Sequence, residues 1–261
     1  MVKRVLNYMI WGITLSAIAV LYGFSRVQYL NSPVTMLELS ITGQQQGSFL
    51  DYNQTYTQLI TTLHIDQMPA VKALEVPAIK DQLSKNPYIC RADVYTTLDG
   101  KIRILLTEYQ ALLRVFTSAQ QNFYIDHLGT LFPISEYHSE RVMIANGAIP
   151  AIPFFEHQKI TVYDKLLEEN PIKDVYLLAI RLTNDSFLNL MIDQLFVRSN
   201  GEIELIPKIG HAGILIGDDK QIDKKLENVT HFFKEKAGSD ELQHYSLINA
   251  KYINQIICTK K

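Results

Sequence analysis

Reactive and metal-binding patterns are scarce in this sequence. Its two cysteines, Cys90 and Cys258, lie far apart and neither has a Cys-x-x-Cys partner, which excludes a zinc ribbon or a thioredoxin-type site. A bridge between them would need Cα atoms within about 7 Å, which spacing cannot fix; cysteines among strand-forming residues read as buried thiols. None of the seven histidines stands in His-Glu-x-x-His or an i, i+4 pair. The nearest two, His127 and His138, fall in different elements, so no metal site is expected. No Gly-x-Ser-x-Gly precedes a helix, which removes the hydrolase elbow. Gly210-His211-Ala212-Gly213 lacks the lysine of a phosphate loop and enters an apolar strand. Asp218, Asp219 and Asp223 lack calcium-loop spacing and read as an acidic loop capping the next helix. Basic charge is not in excess either: 25 Lys and Arg face 27 Asp and Glu, a net charge of −2. That balance argues against nucleic acid, whose phosphates demand a basic surface. The residues name no catalytic group, no cofactor and no small-molecule substrate.

Long hydrophobic runs are absent too, with one exception. Residues 5–24 are apolar apart from Asn7, Gly12, Thr14, Ser16 and Gly23, and Lys3 and Arg4 precede them. At 1.5 Å per residue these span about 30 Å, the thickness of a bilayer's hydrocarbon core. The apolar region of a cleaved signal is shorter, about 7–15 residues. Ala17-Ile18-Ala19 has a small-x-small cleavage pattern but lies inside the run, with Tyr22, Phe24 and Arg26 after it. The run therefore predicts an uncleaved transmembrane helix over 5–24. Lys3 and Arg4 would hold a tail of residues 1–4 in the cytoplasm, with the bulk of the chain outside.

What remains is a chain 47% apolar, enough for one or two packed domains. Residues 25–33 read as a juxtamembrane linker. Residues 35–42 alternate through Met36, Leu37, Leu39 and Ile41, which predicts a strand. Helices are expected over 53–63 and around Val76, Ile79 and Leu83, with Pro77 near the start and Asn86-Pro87 at the end. Two strands follow, joined at Asp99-Gly100, a pair that tolerates positive φ. The order is β-α-α-β-β. Beyond Leu112 strands dominate: 113–116, 123–126, 130–133 and 141–145. One helix is expected over 173–190, a three-stranded meander over 190–216 and a helix over 220–236, striped by Ile222, Leu226, Val229 and Phe233. Residues 246–258 close the chain as one long strand. The fold class is α+β: an N-terminal transmembrane helix, a β-α-α-β-β module over 34–110, and a β-rich domain with flanking helices over 111–261.

Several segments match a known pattern in this order. Asn86-Pro87-Tyr88-Ile89 with Ala92-Asp93-Val94-Tyr95 looks like a helix-to-strand junction. Leu98-Asp99-Gly100-Lys101-Ile102 and Thr107-Glu108-Tyr109 look like a strand with its acidic end, and residues 123–129 with Pro133 like a hairpin. Residues 204–210, 214–217 and 252–260 complete the set. Together with the short tail and single span, the chain resembles the FtsQ family of bacterial cell-division proteins, in a Bacteroidetes-like form, over essentially its whole length. Gln110 and Ala111 depart from the family's usual Arg and Pro, and Asn249 and Ala250 replace a more usual Asp and Leu.

The resemblance implies a non-enzymatic divisome scaffold in the cell inner membrane at the division septum. It implies a POTRA module that helps localisation, and a last strand that pairs with FtsB, which travels with FtsL. Ile248, Lys251 and Tyr252 fit the family's pattern near that site. A terminal strand offers unpaired N–H and C=O groups to a partner. Residues 246–258 hold no proline, and Lys251 is their only charge, so Tyr252, Ile253, Gln255 and Ile257 are expected at a partner-binding edge. The residues alone leave open a strand paired on both sides. Two other classes compete. A membrane-anchored cell-wall enzyme would need a cleft of convergent polar groups. A POTRA-bearing outer-membrane assembly component would show repeated modules or barrel strands.

Overall fold

A computed structural model describes residues 2–43, 47–153, 159–210, 212–218, 220–236 and 240–261, with the backbone alone for 2–6 and 240. Residues 44–46, within a polar Gln44-Gln45-Gln46-Gly47 stretch that reads as a loop, the side chains of Lys3 and Arg4, and His211 and Asp219 lie outside the described residues. The fold mixes α and β, with an apolar N-terminal helix and a large sheet. It divides into two compact units, Met1–Thr42 with Leu50–Glu108, and Gly43–Phe49 with Tyr109–Lys261.

The first unit opens with α1, Val2–Asn31. Its stretch Asn7–Asn31 is long and apolar enough to cross a membrane, and the most apolar 18 residues of it are not buried against protein. Residues 25–31, read above as the start of a linker, continue the helix. Tyr29 and Leu30 hold them there by packing on the unit's own core. Then come β1 (Met36–Thr42), α2 (Tyr52–Leu63), α3 (Val76–Ser84), β2 (Ile89–Thr96) and β3 (Lys101–Glu108). Asp51 starts α2 by accepting a 2.6 Å bond from the Gln54 amide. Pro77 sits in the first turn of α3, where a missing N–H costs nothing. The sheet order is β1-β3-β2, with β1 parallel and β2 antiparallel to β3. Leu37, Leu39, Ala92, Ile102, Ile104 and Leu106 bury one face of it with Leu59 and Leu63 of α2.

The second unit is built on ten strands in the order β13-β12-β11-β10-β9-β7-β4-β5-β6-β8. Five of them come first: β4 (Ala111–Phe116), β5 (Asn122–Asp126), β6 (Thr130–Pro133), β7 (Met143–Gly147) and the two-residue β8 (Ile160–Thr161). Two helices follow, α4 (Ile172–Asn184) and α5 (Ser186–Met191), where the sequence pattern suggested one. Asp185 breaks them apart in extended conformation, its carboxylate accepting from the amides of Phe187 and Leu188 at 2.9 Å. The antiparallel meander β9 (Ile192–Val197), β10 (Ile203–Pro207) and β11 (Gly213–Gly217) follows. After it come α6 (Ile222–Lys236), β12 (Tyr245–Asn249) and β13 (Ile257–Lys260). The expected stripe on α6 is buried, and it shares one core with α4 and the sheet.

The expected single strand over 246–258 is instead a hairpin, β12 and β13 paired antiparallel around residues 250–256. Asn249 folds its side-chain oxygen back onto the Lys251 amide at 3.1 Å. That local bond turns the chain where β-branched neighbours favour extension.

Candidate partner-binding edge

The hairpin lies at one end of the ten-stranded sheet. β12 runs parallel to β11, with Gly213, Ile214 and Leu215 facing Leu247, Ile248 and Asn249. β13 pairs back on β12, Asn249 opposite Ile257 and Ile248 opposite Cys258. Among the described residues β13 pairs with β12 alone, so its outer side carries unpaired backbone groups. The opposite end of the sheet is β8, only two residues long.

The loop that carries β13 is tied down by its neighbours. The Ala250 amide donates to the Leu215 carbonyl at 2.9 Å, and Asn228 of α6 donates to the Ile253 carbonyl at 2.6 Å. Lys251 is ion-paired to Glu202 in the β9–β10 turn. Its ammonium holds the Glu202 carboxyl below the usual range, and the carboxylate in turn raises Lys251. The stem of Lys251 passes over Gly217, where φ is +78° and an added Cβ would lie 2.9 Å from the Lys251 Cγ. Only glycine accepts both that backbone and that approach.

The six residues expected at the edge divide accordingly. Ile248 is 1% exposed, a core residue of β12 between two strands. Lys251 points its charge at Glu202. Tyr252, Ile253 and Gln255 are exposed in the loop, and Ile257 is exposed at the start of β13. Ile256 and Cys258 turn inward against the core, and burial raises the Cys258 thiol. Both cysteines are free. The edge is therefore short and mixed: Tyr252 and Ile253 are exposed apolar residues of the loop, and Ile257 opens the four residues of β13. Sequence reasoning missed the two anchors, Glu202 and Asn228. Asn249 and Asn254, turn formers inside a β-branched run, were the available signal for the hairpin.

Chemistry elsewhere in the unit is sparse. A cavity of about 300 Å³ is lined by His127, Arg141, Thr183, Asn189, Asp193 and Lys208 among others, without a cysteine or serine nucleophile. Among the described residues no three of His, Cys, Asp or Glu gather as a metal site. A family model described as FtsQ/DivIB, C-terminal related, matches residues 110–259, more than half of the chain and nearly all of the larger sheet. No curated protein matches the chain.

Proposed function

Because the chain belongs to the FtsQ/DivIB C-terminal related family, whose members act in cell division and are generally not enzymes, we propose that it is a divisome scaffold. In this reading α1 anchors it in the inner membrane with its N-terminus in the cytoplasm. The first unit serves as a POTRA module contributing to placement at the septum. β13 captures an FtsB-type partner, accompanied by FtsL, by strand addition.

The open outer side of β13 carries this reading. A strand paired along one side presents N–H and C=O groups that water alone satisfies, and a second chain can replace that water. The Asn228 and Lys251 ties hold the loop before any partner arrives, which lowers the ordering cost of binding. Tyr252, Ile253 and Ile257 supply apolar contact next to the backbone ladder.

Successive amides of a strand point to opposite sides. Of Cys258→Pro and Thr259→Pro, one therefore removes an N–H aimed at β12 and the other an N–H aimed outward. The variant that keeps the wild-type melting temperature should lose capture of an FtsB-derived peptide by about tenfold or more, read by calorimetry. Full capture by both proline variants would place the binding surface elsewhere.

A further inference from the structure

The end of α1 is fused to the first unit rather than hinged to it. The Tyr29 hydroxyl lies 2.6 Å from the Thr96 hydroxyl at the end of β2. The Val71 amide donates to the Ser32 carbonyl at 3.0 Å, the Val34 amide to the Pro69 carbonyl at 2.8 Å, and the Thr35 amide to the Gly100 carbonyl at 2.8 Å. Gly100, at φ +78°, packs so close that an added Cβ would lie 3.0 Å from the Pro33 carbonyl oxygen. The orientation of this unit on α1 is thereby set by its own hydrogen bonds.

Topology decides which end of the unit faces back along α1. β1 and β3 run parallel, with Met36 opposite Lys101. The β2–β3 turn therefore lies at the end of the sheet where α1 delivers the chain. Its tip, Leu98, is 89% exposed, the highest value among the exposed large apolar residues described, those of α1 included. One exposed leucine is ordinary on a soluble surface; one beside the exit of an apolar helix has a particular neighbour.

We propose that this turn docks on the lipid surface, Leu98 entering the bilayer interface and Lys72 meeting lipid phosphate. The proposal rests on reading α1 as a membrane span and goes beyond partner capture. Seven residues past position 24 carry α1 about 10 Å above the hydrocarbon core, comparable with a headgroup layer of about 5–8 Å. The Tyr29–Thr96 contact brings the turn alongside the last helical turns rather than above them. Lys72 is exposed in the 3-10 turn Val71–Ala73, which packs against α1. Arg26 adds a second cation on α1 itself. The acids on the sheet itself are balanced, Asp99 pairing with Lys101 at 3.3 Å and Glu38 with Lys101 and Arg103 at 2.8 and 2.5 Å, while Asp66 and Glu75 are exposed on either side of the Lys72 turn. Apolar tip and free cation together suit an anionic bilayer.

The sole tryptophan of the chain, Trp11, lies in α1, which permits a direct test in the full-length protein. The probe is Leu98→Trp on a Trp11→Phe background, reconstituted in vesicles of phosphatidylethanolamine and phosphatidylglycerol. Its control is Lys85→Trp on the same background, beyond the opposite end of the same sheet and equally subject to the interfacial preference of tryptophan. Lipids brominated near the headgroup should quench position 98 about twofold and leave position 85 unchanged. Lys72→Glu should reduce the quenching at 98; no reduction would remove Lys72 from the proposal. Equal quenching at 98 and 85 would overturn the docking. Trp11 in the native chain separates the premises, since mid-chain brominated lipids report the span alone. A quenched Trp11 with a silent position 98 keeps the anchor and rejects the docking. An unquenched Trp11 rejects both, leaving strand capture to its own test.

Discussion

Lys225 shows how a single residue can join two elements. It sits on the buried stripe of α6, three residues after Ile222, and is 3% exposed. Its ammonium donates to the carbonyls of Ile216 and Asp218 at 3.1 and 3.0 Å and to the Asp218 carboxylate at 2.7 Å. These bonds satisfy the carbonyls at the end of β11 and offset the burial of the charge. The Lys225 ammonium holds the Asp218 carboxyl below its usual value of 3.8. The lowered acid stabilises the fold above about pH 4, and that stability is lost as pH falls through the lowered folded value. Asp218→Asn should therefore cost about 1 kcal/mol at pH 7, a figure discounted because the aspartate is half exposed. Melting temperatures across pH check this: wild type and variant should differ at pH 7 and converge as the pH falls through the lowered folded value. Lys225→Ala strands the two carbonyls and loses the packed stem as well as the ion pair, and should cost about 3 kcal/mol at pH 7, with most of that loss remaining once Asp218 is protonated. In the sequence Asp218 shows only its charge, which points to a helix-capping acid. That a lysine stands on the apolar stripe was also legible, but not which groups would surround it.

At the scale of elements, periodicity located most segments, and local polar bonds decided where they stop. The β-α-α-β-β order, the Asp99-Gly100 turn and the meander around Asn200-Gly201 follow from alternation and turn residues. The Asp185 break was not legible, because hydrophobic spacing runs through it from Tyr176 to Phe187. Only the cap geometry reveals that its carboxylate binds the amides of Phe187 and Leu188 in preference to continuing α4. Asp185→Ala removes that alternative acceptor and should destabilise the second unit by about 1 kcal/mol, read as a lower denaturant midpoint with unchanged slope. An unchanged midpoint would mean that packing of Leu188 and Met191, not the cap, sets the break. The C-terminal hairpin was hidden for a similar reason: thirteen residues of strand-forming character disguised a turn carried by Asn249. The candidate edge was thus legible as a region. Its division into a core residue, Ile248, an anchored loop and an open strand needed the partners Leu215, Glu202 and Asn228, all distant in sequence.

For the whole molecule, the two units have separate cores, and the chain does not pass from one to the other only once. Residues Gly43–Phe49 belong to the larger unit while both their neighbours belong to the smaller. Phe49 is fully buried there. Its ring lies 5.4 Å from those of Tyr124 and Phe132 and 5.5 Å from that of His138, and its carbonyl accepts a 2.7 Å bond from the Ser135 hydroxyl. An aromatic cluster of this kind contributes through both area and ring geometry. Phe49→Ala should cost about 3–5 kcal/mol, and the loss should fall on the larger unit although Phe49 is flanked in sequence by β1 and α2. Hydrogen exchange resolves the point, because local opening reports the stability of each segment separately. Amides of β5 and β6 should exchange faster in the variant, while those of β1, β2 and β3 keep their wild-type rates. The opposite pattern would assign residues 43–49 to the smaller unit, and the family-matched sheet of 110–259 would then fold without any contribution from the segment between β1 and α2.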